Sequence, residues 1–418
     1  MDNPPAPGLV VLSTLFPNAA QPNAGLFVRE RMFRVGAQLP LFVVAPQPWF
    51  PLDGLIRRFR SGFRPEKPGF ERQQGFDVYF PKYLSVPGYL KHLDGFFMAV
   101  AVYLFLKRRR HRFAIIDAHF AYPEGYAATL LGRWLRVPVT MTLRGTEPRM
   151  SRLPRIRRRM QRAFGRATRI FSVSDSLRRL ALSLGAAEDK TEVVGNGVDL
   201  SRFKREDRID ARVRLGLPAS VPVLISVGGL VERKGFHRVL AVMPALQRRY
   251  PELRYLIVGG ASPEGDMTET LQEQARELGL GEAVIFAGPI PPDDLRWYLS
   301  AADVFVLATR NEGWANVFLE AMACGLPVVT TDVGGNREVV CADDLGIVVP
   351  FDDADALREA IATALASGWD REAIVDYAAR NTWDARVEVL VARFREIDAA
   401  AIAGPARTEG GRVGRVRT

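Results

Sequence analysis

Short apolar runs separated by longer stretches of helical spacing recur along this chain. Runs of strand length occupy residues 8–16, 40–46, 114–118, 137–143 and 169–174, with helical patterns between most of them. After Gly195-Asn196-Gly197 and the charged stretch from Ser201 to Arg214 a second series begins. Its strands are expected near 222–228, 254–259, 283–287, 303–307, 327–331 and 346–349. Apolar strands alternating with helices are the pattern of parallel β-α-β units, so the chain reads as α/β with a domain boundary near residues 195–215. Between Gln47 and Phe80 the pattern weakens into Pro, Gly, Arg and Phe, which reads as a loop-rich insertion with exposed aromatics. Trp383 to Ile397 has the spacing of a last amphipathic helix, and the Gly- and Arg-rich residues 404–418 have little to bury and read as a disordered tail. Ligands of open α/β sheets sit at the carboxyl ends of strands, so two such domains facing each other are expected to hold their substrates there.

Composition narrows the class. A chain of 418 residues is long enough for two cores, and 48% apolar with 25% charged residues is ordinary for a globular protein. Two cysteines, Cys324 and Cys341, exclude a disulfide framework and a multi-cysteine metal site, and make a reducing, cytoplasmic compartment the expectation. The N-terminus carries Asp2 and no basic residue before the apolar run Leu9 to Phe16, so no signal peptide is read there. The apolar run Phe96 to Leu106 is shorter than the ~20 residues a membrane-spanning helix requires and reads as a buried helix.

Charge adds one feature. The net charge is +10 and is concentrated in the first half: eight arginines and no acid lie between Arg152 and Arg169, with smaller clusters at Arg57 to Arg64 and Lys107 to Arg112. Such a run is either a solvated helix face or a contact for a polyanion such as an anionic membrane surface, which would make the protein peripheral on the cytoplasmic face. Nucleic acid is not expected, because the run has little aromatic interleaving and matches no nucleic-acid motif.

The richest chemistry lies in one run, T-R-N-E-G-W-A-N-V-F-L-E-A-M-A-C-G-L-P-V-V-T-T-D-V-G-G-N, where seven residues separate Glu312 from Glu320. A helix of two to three turns should begin near Asn316 and end at Gly325 and Pro327. Its free N–H groups and dipole would favour a phosphate, and Gly313 would let a ligand approach the backbone. Glu320, one turn inside, leans toward the N-terminus, where a carboxylate suits a ribose diol. A lone carboxylate at a helix start is more often just a dipole partner; the pair and its setting argue for a site.

This E-x7-E run resembles the signature of retaining glycosyltransferases of family 4, which have the GT-B fold of two Rossmann-like parallel-sheet domains. Further segments fit in order: N-A-G-L-F-V-R-E-R, D-A-H-F-A-Y-P-E-G, T-L-R-G-T-E, F-S-V-S-D-S, V-V-G-N-G-V-D-L-S-R-F, V-G-G-L-V-E-R-K-G and A-A-D-V-F-V-L-A-T. They extend over most of residues 8–350. The resemblance implies an acceptor-binding domain over residues 1–200, a nucleotide-sugar-binding domain over 201–382, and a helix about 383–400 packing back on the first.

The same resemblance implies site residues. Glu312 would bind hydroxyls of the transferred sugar, and the backbone of Gly313, Trp314, Ala315 and Asn316 would meet sugar or phosphate, with Glu320 on the ribose. Arg233 and Lys234 would supply the fixed positive charge that a departing diphosphate requires. Relatives usually have an Arg where this chain has Gly229, so Arg233 is the candidate to compensate. His119 follows a strand-like run and reads either as a site residue that donates to a sugar hydroxyl or stabilises charge near the anomeric carbon, or as a structural histidine. Arg144, where many relatives have a His, would contact acceptor or phosphate. Gly25 lies in a loop whose backbone approaches diphosphate or acceptor, and Gly288, Pro289 and Ile290 follow a strand where relatives hold the base through backbone groups. The D-x-D string Asp353-Ala354-Asp355 reads as a helix cap rather than a metal site. The implied reaction uses a nucleotide diphosphate sugar as co-substrate, no metal and no other cofactor, and a saccharide or lipid-linked saccharide acceptor. Fold alone would also allow a nucleotide-sugar epimerase or a phosphorylase, but the first does not explain R-K-G with E-x7-E and the second lacks a lysine-anchored cofactor signature.

Overall fold

The computed structural model describes residues 8–59, 63–109, 113–262 and 264–403. The expected 404–418 tail and parts of two basic clusters lie outside the described residues. Among the described residues ten strands fall in the first half: β1 (Leu9–Leu12), β2 (Leu41–Val44), β3 (Gln47–Trp49), β4 (Phe70–Gln73), β5 (Phe76–Tyr79), β6 (Lys82–Leu84), β7 (Ile115–His119), β8 (Val139–Leu143), β9 (Arg169–Ser172) and β10 (Thr191–Val193). Eight of them form one sheet in the order β10-β9-β8-β7-β1-β2-β5-β4, and β3 and β6 pair separately. Strands β1, β7 and β8 are buried along their whole length. This is why their sequences are continuous apolar runs rather than alternating ones.

The second sheet is made of β11 (Val223–Val227), β12 (Arg254–Val258), β13 (Val284–Gly288), β14 (Val304–Leu307), β15 (Val328–Thr331) and β16 (Gly346–Val349), in the order β13-β12-β11-β14-β15-β16. All its pairings are parallel. Alternate residues feed two cores. Val223, Ile225, Phe305 and Leu307 pack with the helix Asn316–Ala323 on one face, while Leu224, Val304 and Val306 pack with the helices Phe236–Arg249 and Ala354–Ala366 on the other. Each fully buried leucine or valine contributes about 1.5–3 kcal/mol of transfer free energy. The strand order reverses direction between β11 and β14, and in open α/β sheets the carboxyl ends of such neighbours are where ligands bind.

By contact density the described residues fall into two compact units. One comprises those within Met1–Met141, Arg166–Arg169 and Val389–Thr418; the other those within Thr142–Gly165 and Ile170–Glu388.

One expectation is corrected. The stretch from Gln47 to Phe80 is not loop-rich: it contains β3, a helix Asp53–Phe59, and the antiparallel pair β4–β5, with β5 extending the sheet parallel to β2. The aromatics there divide. Phe59 and Phe70 are exposed, whereas Phe76 stacks on Phe33 with ring centroids 4.5 Å apart. The run Phe96 to Leu106 lies in a helix, Asp94–Arg109, that buries Met98, Ala99, Val102 and Leu106 and leaves Phe96 and Leu104 exposed. Among the described residues no helix is long and apolar enough to cross a membrane.

Candidate active site

The loop leaving β11 turns through a short 3-10 segment, Glu232–Lys234, and enters the helix Phe236–Arg249 at Gly235, whose φ is +78°. A Cβ at Gly235 would stand 1.9 Å from the Ala308 carbonyl oxygen, so only glycine permits this close approach to the end of β14. The approach is stitched by Arg310 N and Thr309 Oγ1, which donate to the Arg233 carbonyl at 2.7 and 2.8 Å. As a result the two basic side chains reach the loop after β14. Lys234 Nζ donates to Glu312 Oε1 at 2.6 Å and Arg233 Nη1 donates to the same oxygen at 3.0 Å. Glu312 and Lys234 are largely enclosed, with side chains 10% and 14% exposed.

A second carboxylate completes the cluster. Arg233 Nε and Nη2 make a bidentate pair with Glu264 at 2.7 and 2.8 Å. Burial opposes the charge on Arg233, but Glu264 and Glu312 outweigh it and hold the guanidinium's pKa above its usual range. The hydrogen bonds from Arg233 in turn hold the Glu264 carboxyl below its usual range. Space for this arrangement depends on Gly229, where a Cβ would meet the Ser262 side chain at 2.9 Å. The residue that lacks the expected arginine thus seats the turn that carries Glu264.

The helix Asn316–Ala323 begins and ends close to the expected limits. Gly325 follows with φ +78°, and Leu326 N donates back to the Ala321 carbonyl, closing the C-terminus. Ala315 provides no side-chain cap, and the first turn carries no acid, so the helix tip keeps its positive end uncompensated by its own side chains. Phe318, Leu319, Ala321 and Met322 are buried and fix the helix on the sheet. Asn316 Oδ1 accepts from Asn196 Nδ2 at 2.8 Å, and Asn196 Oδ1 accepts from Arg144 Nη1 at 3.0 Å. Arg144, expected to face acceptor or phosphate, is therefore buried and linked to the tip of this helix. Gly313 lies against the Arg144 carbonyl, and Trp314 lies against Gly195. Among the described residues the enclosed Trp314 indole N–H meets no acceptor. Glu320 is half-buried near Cys324, whose thiol is pushed up by burial and then by Glu320.

The remaining candidates lie elsewhere. Gly288 ends β13 with φ +71°, and its carbonyl accepts from Gly259 N at 2.9 Å; Pro289 and Ile290 follow it. In the first unit Gly25, with φ +70°, opens the helix Leu26–Gly36. His119 ends β7 fully buried, its Nε2 3.3 Å from Asp117 Oδ2, while Asp117 Oδ1 accepts from Thr140 Oγ1 at 2.6 Å. Asp353 caps the helix Ala354–Ala366 by accepting from Ala356 N at 2.9 Å, as its sequence setting indicated. Sequence reasoning did not single out Glu264, Asn196 or Asp117 as site residues. Asp117 and Asn196 lie inside quoted motifs, whereas Glu264 lies in none. Among the described residues no group of three His, Cys, Asp or Glu is placed to hold a metal ion.

Residues 207–381 match the family model for glycosyl transferases group 1, and residues 55–202 match the model for glycosyltransferase family 4. A protein of Bacillus subtilis (strain 168) named as the teichuronic acid biosynthesis glycosyltransferase TuaC is 30% identical over 362 residues, covering 84% of this chain and 87% of its own length. A Mycolicibacterium smegmatis protein named as a GDP-mannose-dependent alpha-(1-6)-phosphatidylinositol monomannoside mannosyltransferase is 35% identical over 237 residues, 54% of this chain and 61% of its own. In fold the chain is similar to sucrose-phosphate synthase from Thermosynechococcus elongatus, with a TM-score of 0.74 at 21% identity, covering 94% of this chain and 99% of that one. It is also similar to Anabaena HepE in complex with UDP, with a TM-score of 0.71 at 18% identity over 93% and 100% of the two chains. These two likenesses bear on the fold alone, which is GT-B.

Proposed function

The chain belongs to glycosyltransferase family 4 and transfers a sugar from a nucleotide sugar, and from that premise we propose that it is a retaining transferase acting on a saccharide or lipid-linked saccharide in surface or exopolysaccharide assembly. The observation that carries this reading is the convergence of Arg233 and Lys234 on Glu312 at the switch point between β11 and β14. Two cations at the carboxyl end of a parallel sheet, beside an uncapped helix tip, suit a diphosphate. The carboxylate between them suits the hydroxyls of the sugar attached to it.

In this reading the donor takes over contacts that the free protein makes internally. Arg233 and Lys234 stabilise the charge that builds on the diphosphate as the glycosidic bond breaks. Glu312 accepts from sugar hydroxyls, the backbone of Gly313 to Asn316 meets sugar or phosphate, and Glu320 takes the ribose. The acceptor oxygen attacks from the face that the nucleotide leaves, and its proton passes to the departing phosphate oxygen, so configuration is kept without a protein nucleophile. Side-chain cations and the helix dipole carry the phosphate charge, so the reaction is expected to run without a metal.

The names of relatives support the acceptor class: one is named for teichuronic acid biosynthesis, another for a phosphatidylinositol monomannoside. Residues 1–200 are assigned to the acceptor and 201–382 to the donor. We place the protein on the cytoplasmic face of an anionic membrane, through its arginine-rich helix.

A panel of UDP- and GDP-sugars tested by thermal shift, followed by product analysis with chelator present, checks the reading. Stabilisation by one donor and an α-configured product from an α-linked donor are expected. A kinetically competent glycosyl adduct on Glu312, found by mass spectrometry, would overturn the mechanism.

A further inference from the structure

In the first unit, several chain segments bring polar groups to one cluster that the transfer chemistry above does not use. Glu124, in the turn after β7, is 1% exposed, and its Oε1 accepts from Thr14 N at 3.1 Å and from Thr14 Oγ1. Thr14 lies just beyond β1, and its carbonyl accepts from Lys67 Nζ at 3.3 Å. Tyr83, in β6, is 5% exposed, and its phenol lies in the field of both Asp94 and Glu124. Asp94, at the start of the helix Asp94–Arg109, accepts at Oδ2 from Ser85 Oγ at 3.2 Å and from Lys91 Nζ at 3.4 Å.

Two members of this cluster are incomplete. Among the described residues no donor or acceptor meets the Tyr83 hydroxyl, although the side chain is almost wholly enclosed. Lys67 is half-buried, and among the described residues no carboxylate pairs with its ammonium, so burial alone acts on it and lowers its pKa. Burial first, then Asp94 and Glu124, suppress ionisation of Tyr83, so the phenol remains a donor. Lys67 has the Thr14 carbonyl as a hydrogen-bond acceptor but no counter-charge among the described residues, and a half-buried cation in that state gains free energy from an anionic ligand. Thr14 and Lys67 are half-buried and so remain partly open to solvent, while Tyr83 and Glu124 are buried.

The chemistry selects the ligand. Carboxylates accept from vicinal hydroxyls, a phenol donates to a ring or hydroxyl oxygen, and an unpaired ammonium takes an anion. We infer that the Lys67–Thr14–Glu124–Tyr83 cluster binds the end sugar of the acceptor, and that this sugar carries an anionic group, a carboxylate or a phosphate, held by Lys67. The inference rests on the transferase reading, because it assigns the second substrate of that reaction.

The test uses the full chain and three probes followed by calorimetry or ligand-observed NMR: methyl β-D-glucuronide, glucose 6-phosphate and neutral methyl β-D-glucoside. One charged probe should bind about tenfold or more tightly than the neutral one, as expected for a charge-assisted contact, and whichever does so identifies the group as carboxylate or phosphate. Lys67→Met should reduce the charged probe to the level of the neutral one, Lys67→Arg should keep the preference, and Tyr83→Phe should weaken all three probes several-fold. Stabilisation by the nucleotide sugar that the wild type binds should survive in each variant, which reports an intact fold and donor site. Equal binding of charged and neutral probes by the wild type, or a preference that survives Lys67→Met, would sink the inference. A wild-type chain that no nucleotide sugar stabilises would sink the transferase reading instead.

Discussion

At the scale of single residues, Arg233 and Lys234, the cations proposed to meet the diphosphate, are satisfied by the protein's own carboxylates. Arg233 is shared between Glu264 and Glu312, and Lys234 is held by Glu312, so a diphosphate has to compete for both. The two carboxylates are not equivalent. Glu312 is enclosed and is the carboxylate proposed to meet the sugar, whereas the Glu264 side chain is 53% exposed and pairs with Arg233. Lys234→Ala removes a charge that matters most as the leaving group departs, so kcat/KM measured with saturating acceptor should fall by about 10²–10³. Glu264→Gln should do the opposite to binding. A half-exposed pair contributes at most about 1 kcal/mol, so affinity for the donor's nucleoside diphosphate measured by calorimetry should rise up to about fivefold. Its pH signature follows from the sign of the shift. Because the folded-state pKa of Glu264 lies below its ordinary 4.5, the pair's stabilisation is present above that value and is lost as pH falls through the folded value. The difference in melting temperature between wild type and Glu264→Gln should therefore shrink as pH is lowered from about 6 to about 3; a constant difference would remove the ion pair from the account. Glu312 and Lys234 were legible in the sequence because their chemistry sits in local motifs. Glu264 was not, because it reaches Arg233 across 31 residues and lies in none of the motifs; Asn196 lies inside a motif, but its partner Asn316 stands 120 residues away, so its role as a tether could not be read.

At the scale of elements, the second sheet was readable strand by strand because its strands are apolar runs, the inner ones almost wholly buried, and the loops between are polar. Strands β4 and β5 were not. F-E-R-Q and F-D-V-Y are short, mixed in polarity and partly exposed at the sheet's edge, and their pairing follows from the tight turn at Gln74 and Gly75 rather than from apolar content. The helix Asn316–Ala323 was readable from its start and stop residues, but its seat was not: the chain Arg144–Asn196–Asn316 tethers its first residue to the loop after β8. Element positions, more than side chains, carry the site, and the turn at Gly235 is where this is most easily tested. Gly235→Ala places a methyl group against the Ala308 carbonyl in a left-handed backbone, so either the turn or the end of β14 must move. Urea unfolding should show a loss of about 1–3 kcal/mol. Stabilisation by the donor should fall further than this loss explains, because Lys234 precedes the displaced residue directly. A variant that is less stable but keeps full donor response would show that the turn supports the fold and not the site.

At the scale of the whole molecule, the sequence announced the two series of β-α units and the excess of positive charge, but not the strand order that makes β11 and β14 neighbours. That order is a long-range property, and it is what turns two separate motifs into one cluster. The charge has its own architecture. On the helix Pro154–Arg166, Ile156, Met160, Ala163 and Phe164 are buried, while Arg155, Arg157, Arg158, Arg162 and Arg166 are exposed, and among the described residues no carboxylate pairs with any of these five. A helix face that leaves so many arginines uncompensated costs self-repulsion unless an extended anion offsets it, and a bilayer surface offers many phosphates to such a face at once. Each arginine near an anionic surface is worth about 1 kcal/mol, so changing Arg155, Arg157, Arg158 and Arg162 to Gln should weaken binding to phosphatidylglycerol vesicles by about two to three orders of magnitude. The core beneath the helix is untouched, so donor-induced stabilisation should be preserved. Binding should be absent on neutral phosphatidylcholine vesicles and should fall as salt is raised from 0.1 to 0.5 M, because screening shortens to about 4 Å over that range. If duplex DNA displaces the protein from vesicles at equal phosphate concentration, the face is a general polyanion trap and its assignment to the membrane fails.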